Sequence, residues 1–293
     1  MQQRRGPAPR ISIHKQEVTL QTAAKDYPKS RHRAPTLALL AAGLQASEIE
    51  GEGWGVDRSE GIGGSEAGAI LGLNPWEPIL SKLREKAERK PERTFTTAQR
   101  LRMDVGHAVE ELALETFSAS ELGVPCTNAL KDLDGRDALV HLPGHLFVNP
   151  RHPYAFAHID GLYRVEGEIG VVDAKVSFRK PWRDVPGYYA AQLAHYCAIL
   201  GCNVGYIAAL FMDPPYPVPA AYRLDFTPEQ LERVMEAEGV FWEAVLGIRS
   251  GAAPSDADLR ALKARLGDAG SDLIAGFGTD LAEVRIGSWG KAR

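Results

Sequence analysis

Two kinds of hydrophobic pattern run along this chain, and the switch between them divides it into parts. Towards the N-terminus, apolar positions recur at helical spacing. Residues 36–48 read as a helix capped by Thr36 after Pro35, and 65–71 as a short helix with Ser65 at its N-cap. A charged amphipathic helix follows at 78–90. A longer one spans about 97–118, where Leu101, Val105, Val109, Leu112 and Phe117 fall near helical spacing. The middle third changes character. Residues 138–149 alternate loosely, 155–165 and 169–177 read as strands, and Glu166 to Gly170 between them has turn composition. Pro186 then introduces a helix over 188–200, with Leu193, Tyr196 and Leu200 along one stripe. The unbroken apolar run 204–212 predicts a buried strand and 222–226 a partner for it. Thr227 and Pro228 open a helix to 247 with the expected cap and N1 proline, and a last helix is predicted at about 255–266.

Helices, a strand meander, a helix, a strand pair and further helices together predict an α/β chain, a mixed sheet flanked by helices. The expected organisation is a basic, partly disordered N-terminal arm (1–50), a principal domain (51–250) and a C-terminal helical extension (251–293). No internal repeat is evident.

Composition narrows the function classes. At 293 residues with 44% hydrophobic and 25% charged content, the chain can bury a full core. No apolar run approaches the roughly 18 residues of a membrane span, so no membrane partner is expected. The basic start, Met1 to Pro7, lacks an apolar core behind it, so no secretory signal is read. Cys126, Cys197 and Cys202 cannot pair completely, which suits a reducing cytoplasm, and they fall short of a four-thiolate metal or iron–sulphur site. His141 and His145 are separated by Pro143-Gly144 and cannot form a helical metal pair. The glycines at 51–64 follow no strand, and residues 287–291 lack P-loop spacing, so neither a dinucleotide nor a nucleoside triphosphate site is implied.

Net charge is −4, but it is unevenly spread. Residues 1–33 carry eight Lys/Arg against Glu17 and Asp26, a local charge of +6, and residues 82–102 carry eight basic residues against three acids. A basic rim around an acidic centre is what a phosphodiester-cutting site needs.

The acidic centre is readable at 160–175. Asp160-Gly161 opens one strand of a predicted hairpin, and Asp173-Ala174-Lys175 lies on the other. Side chains at i and i+2 leave the same face of a strand, so Asp173 and Lys175 point together. Two carboxylates and an ammonium in one place are costly unless a cation and an anion visit, and a divalent metal with a phosphate fits that description. Asp160, Asp173 and the carbonyl of Ala174 are candidate ligands for Mg²⁺ or Mn²⁺. Lys175 is placed to hold the attacking water or help deprotonate it, and to offset charge on the phosphorane. Elsewhere, a serine at a helix N-terminus (Ser65) with an arginine nearby (Arg58) is a candidate phosphate site. Tyr189 and Trp182 are candidate DNA contacts; Trp182 lies among Arg179, Lys180 and Arg183, while Tyr189, like Trp76 and Tyr188, suits either base stacking or core packing.

Taken in order, Arg58 seven residues before Ser65, Gly106 four before Glu110, Asp160-Gly161, Asp173-Ala174-Lys175 and Tyr189-Ala190-Ala191-Gln192 resemble the YqaJ-type viral recombinase family. These are relatives of phage lambda exonuclease within the restriction-endonuclease-like PD-(D/E)XK superfamily. The resemblance spans about residues 54–250. It implies Glu110 as a further metal ligand and Gln192 as support for the lysine and water. It also implies capture of a terminal 5′ phosphate by Arg58 and Ser65. The activity implied is Mg²⁺- or Mn²⁺-dependent exonucleolytic resection of double-stranded DNA ends in a bacterial host, beside a single-strand annealing protein, by a homo-oligomer, a trimer in relatives. The chain departs from the family pattern at Asp173, where glutamate is usual, and at His158, where no proline precedes the first acid. A repair nuclease of RecB-like or CRISPR-associated type, and a non-catalytic DNA-binding module on the same fold, remain competing readings.

Overall fold

The computed structural model describes residues 45–48, 57–89, 96–143, 145–212, 216–275 and 285–286. The predicted arm at 1–50 lies outside them apart from residues 45–48, and with it most of the helix predicted at 36–48. Strands β1 (Gln45–Glu48) and β2 (Ile62–Gly63) precede three helices: α1 (Gly64–Ile70), α2 (Ile79–Ala87) and α3 (Thr97–Phe117). Six strands follow: β3 (Cys126–Thr127), β4 (Ala138–His141), β5 (His145–Val148), β6 (Ala155–Ala157), β7 (Gly161–Val165) and β8 (Glu168–Ser177). Helix α4 (Gly187–Leu200) leads to β9 (Val204–Phe211) and β10 (Val218–Asp225). Helices α5 (Pro228–Arg249) and α6 (Asp256–Ala275) and the short strand β11 (Arg285–Ile286) complete the order.

The main sheet has seven strands in the order β11-β10-β9-β8-β7-β4-β3. Strands β7 and β8 form an antiparallel hairpin through a turn in which Glu166 (φ 50°) and Gly167 (φ 87°) are left-handed, the geometry a tight two-residue hairpin requires. Strands β8 and β9 are parallel, and α4 supplies the crossover that such a pair needs. Each face of the sheet buries its own set of side chains. Val171, Ile169, Ile207 and Leu224 pack beneath α4 and α5, whereas Leu139, Val172 and Ala208 pack with Leu114 and Phe117 of α3. The mixed sheet flanked by helices is therefore observed, and the run α3-β4-β7-β8-α4-β9 forms its centre.

Several boundaries move for physical reasons. Residues 45–48, expected at the end of a helix, form β1 and pair antiparallel with β5, where ladder hydrogen bonds outweigh a local helical preference. The single strand expected at 155–165 breaks at His158 to Asp160, so that β6 joins a second sheet of order β1-β5-β6-β2 while β7 joins the first. The last helix extends past 266 to Ala275 despite Gly267 and Gly270. A side chain at Gly270 would overlap the Leu71 carbonyl, so here glycine permits close approach. Leu266 and Leu273 of this helix join the main core. No helix among the described residues is long and apolar enough to cross a membrane.

Candidate active site

The site lies where β7 stops and β8 continues. Pairing between them ends at Gly161 with Val172, but β8 stays paired to β9 as far as Ser177. From residue 173 onward, the edge of β8 towards β7 has lost its ladder partner. Asp160, one residue before β7, fills the gap by accepting a 2.7 Å hydrogen bond from the Ala174 N–H. A strand residue's N–H and C=O leave the same edge, so the Ala174 carbonyl also faces this opening.

Asp173 and Lys175 share the face covered by α4, as their spacing predicts. Lys175 Nζ stands 2.7 Å from Asp173 Oδ2, with Asp173 buried and 18% of the lysine side chain exposed. Gln192 on α4 donates through its amide nitrogen to Asp173 Oδ1 (3.3 Å) and to the Tyr196 hydroxyl (2.9 Å), so its orientation is fixed. Glu110 on α3 is held at 3.3 Å by His141 Nε2, while its neighbour Glu111 is exposed.

Electrostatics here are those of crowded carboxylates. Burial, then the charge of Asp173, pushes Asp160 well above the usual carboxylate range, and Glu110 adds to the rise. Asp173 is raised by burial too, against the lowering effect of Lys175. Burial would lower the Lys175 ammonium, but Asp173 and Asp160 outweigh it and hold the group above the ordinary lysine range. Lys175 is thus a fixed cation, and the raised proton affinity of Asp160 and Asp173 marks a place where further positive charge is favoured. Among the described residues, no three His, Cys, Asp or Glu side chains gather into a metal cage. The oxygens assigned to this opening are the Asp160 and Asp173 carboxylates and the Ala174 carbonyl, a hard oxygen set that suits Mg²⁺ or Mn²⁺. The crowded carboxylates and these donors fit a divalent cation.

The second cluster lies at the start of α1. Arg58 donates to Ser65 Oγ at 2.9 Å, bringing the two residues together, with Ser65 exposed. Ser65 does not cap the helix as expected. Gly63 is the N-cap, and its N–H donates to the Glu66 carboxylate at 3.0 Å, which leaves the Ser65 hydroxyl for Arg58. Glu66 is buried with Lys86 (2.7 Å) and Lys82 (3.6 Å), and Lys82 also pairs with Glu77 and Glu85. Lys86 donates to the carbonyls of Gly61 (2.7 Å) and Arg58. Two lysines assigned to a basic rim are therefore spent inside an ionic network that shapes the Arg58 loop.

Tyr189 lies 5.4 Å beneath Lys175 Nζ. Trp182 is half-buried, with ring centroids of Tyr189, Phe211 and Tyr222 at 5.1, 4.9 and 5.5 Å, and its carbonyl accepts the Tyr222 hydroxyl. Two neighbours of the site had no sequence-based role. Tyr196, four residues after Gln192, was assigned only to the helix stripe, though that spacing on a helix signals a contact. His141 was weighed only as a metal ligand, and its contact with Glu110 joins a strand to a distant helix and leaves no local signal.

A helix-strand-strand-strand-helix-strand centre with two acids and a lysine at one strand divergence defines the restriction-endonuclease-like PD-(D/E)XK class. Residues 53–203 match the YqaJ-like viral recombinase domain, half of the chain, and the chain belongs to that family. It is 26% identical over 209 residues to the uncharacterized protein YqaJ of Bacillus subtilis (strain 168), covering 69% of this chain and 58% of that protein. Among solved structures it is similar to the alkaline exonuclease LHK-Exo from Laribacter hongkongensis, at 13% identity and a TM-score of 0.48, over 66% of this chain and 91% of that one. It is also similar to SSO0001, at 13% identity and a TM-score of 0.33, over 63% and 76% of the respective chains. Likenesses of that size fix neither substrate nor activity.

Proposed function

We propose that this chain is a divalent-metal-dependent nuclease that resects linear double-stranded DNA from the 5′ end for phage-type recombination. The observation that carries the reading is the meeting of Asp160, Asp173 and Lys175 where β7 leaves β8, in a chain of the YqaJ-like family. Asp160, Asp173 and the Ala174 carbonyl would hold Mg²⁺ or Mn²⁺, with Glu110 as the further carboxylate that the family resemblance supplies. When bound, the ion would supply Lewis-acid polarisation of the phosphate and a more acidic water. Lys175, kept protonated by its two acid neighbours, orients the nucleophilic water and offsets charge on the phosphorane. Gln192 holds Asp173 in place and fixes the wall of the site. Arg58 and Ser65 receive the 5′ phosphate, Arg58 as a charged donor and Ser65 as a neutral one. Partnership with a single-strand annealing protein in a bacterial host cytoplasm and assembly as a trimeric ring rest on the family resemblance.

The test is incubation with Mg²⁺ and a linear duplex phosphorylated at one 5′ end, with closed circular DNA as control. The expected result is loss of the phosphorylated strand with circles intact. Lys175→Ala should abolish cleavage, and Arg58→Ala should remove the preference for the phosphorylated strand. Nicked circles would refute end-directed cutting. Absence of cleavage with both Mg²⁺ and Mn²⁺ would refute the enzyme.

A further inference from the structure

Tryptophan is usually largely buried in a folded protein, yet Trp76 is 64% exposed on the turn between α1 and α2. It is not a loose side chain. Its ring meets Tyr188 edge-on with centroids 5.3 Å apart, the Arg179 guanidinium lies 6.0 Å from its centroid, and the turn that carries it is closed by its main-chain N–H donating to Asn74 Oδ1 at 3.0 Å. Aromatic contacts connect it to the site: Lys175 Nζ stands over Tyr189, Tyr189 meets Tyr188 at 4.3 Å, and Tyr188 meets Trp76. Exposed Phe178, Arg179, Lys180 and Arg183 follow directly after β8. Trp182, in the same segment, has its ring packed against three other aromatics.

We propose that Trp76, with Tyr188 and Arg179 beside it, is a stacking surface for unpaired bases of the nucleic-acid strand that enters or leaves the cleavage centre. The inference rests on the nuclease reading and adds where a strand runs beyond Lys175. An ordered ring loses little freedom when a base settles on it, and every base offers a π-face, so the contact is tolerant of sequence. The neighbouring cations match a polyanion, which favours a nucleic-acid strand over an apolar peptide on this patch.

The full chain, with Ca²⁺ replacing Mg²⁺ to hold back cleavage, is titrated with two duplexes. One ends in three mispaired nucleotides carrying 2-aminopurine, and the other is fully paired. The wild-type protein should quench the 2-aminopurine. Trp76→Ala should lower affinity for the mispaired end about tenfold, within the range of one stacked base, and relieve the quenching. Affinity for the paired end and the salt dependence should stay unchanged, since no phosphate contact is lost. Trp76→Phe should restore most of the effect. Equal binding of the mispaired end by wild type and Trp76→Ala, with Mg²⁺-dependent cleavage intact, overturns the stacking surface alone. Equal weakening at both ends also overturns it. Failure of the wild type to bind either duplex overturns the nuclease reading together with it.

Discussion

His195 on α4 and Glu238 on α5 are both fully buried, and their interaction yields a sharp stability prediction. His195 Nδ1 lies 2.9 Å from both Glu238 oxygens, and Nε2 lies 3.0 Å from the Phe156 carbonyl, which can only accept. With both ring nitrogens donating, the ring is an imidazolium paired to a carboxylate. Burial would lower the histidine's affinity for its proton, but Glu238 overrides this and raises it. His195→Ala strands a buried carboxylate, at a cost of about 3–5 kcal/mol. For a chain of this size that is a fall of about 6–20 °C in Tm. Glu238→Gln is gentler. The introduced amide donates to a neutral Nδ1 while Nε2 still serves Phe156, so the expected cost is about 1 kcal/mol. The pH dependence follows from the raised proton affinity. The stabilisation is complete below the unfolded histidine value of 6.5 and is lost as pH rises through the higher folded value, at up to about 1.4 kcal/mol per pH unit. Urea unfolding of the three proteins from pH 6 to 9 reads both effects. The reasoning fails if His195→Ala costs under about 0.5 kcal/mol, the level of an ordinary surface change. It fails equally if the decline above pH 6.5 persists undiminished in Glu238→Gln.

Two further substitutions probe the packing around the Arg58–Ser65 pair and its link to the acidic centre. A side chain at Gly64 would overlap the Tyr196 ring, so Gly64→Ala should cost about 1–3 kcal/mol by overpacking. It should also slow cleavage by displacing the residue that orients Gln192, and thermal melting with a cleavage assay tests the pair; unchanged values in both would refute the coupling. Lys86→Met leaves the Glu66 carboxylate with Lys82 at 3.6 Å as its cation, beside the Gly63 N–H, and frees two carbonyls of the Arg58 loop, so a loss of about 3 kcal/mol is expected, at the low end for a broken buried pair. Calorimetry showing a Tm within about 1 °C of wild type would refute it.

What local pattern could reveal, and what it could not, follows from the range of each interaction. Asp173 and Lys175 were legible because a strand has a period of two and a hairpin turn fixes its register. Gln192 was placed by the family order and the helix that carries it. His141 with Glu110 and His195 with Glu238 are 31 and 43 residues apart, and nothing in either segment anticipates the other. Strand β1 was hidden for the same reason, since its partner lies about a hundred residues away and its own sequence favours a helix. Ser65 was assigned to the cap by composition, but the buried Glu66 carboxylate already serves Gly63. Trp182 and Trp76 show the limit most plainly. Cationic neighbours in sequence favour Trp182 as a DNA contact, whereas the proposal for Trp76 draws on exposure and ring contacts, both tertiary properties.

The position of the acidic centre has a cause in the sheet itself. Had β7 continued alongside β8 past residue 172, the Ala174 N–H would have met a ladder carbonyl and Asp160 would have been an ordinary strand residue. Because β7 begins only at Gly161, an edge is exposed inside the protein, and an unpaired main-chain donor there is expensive. The Asp160 carboxylate satisfies it with one oxygen and is thereby fixed beside Asp173, in a place where its charge is costly. One side chain both closes the ladder and loads the opening with negative charge. On the proposed nuclease reading, that coupling is why a strand divergence suits a cation-dependent reaction: the contact that stabilises the break in the sheet also holds a carboxylate where a cation would offset its charge.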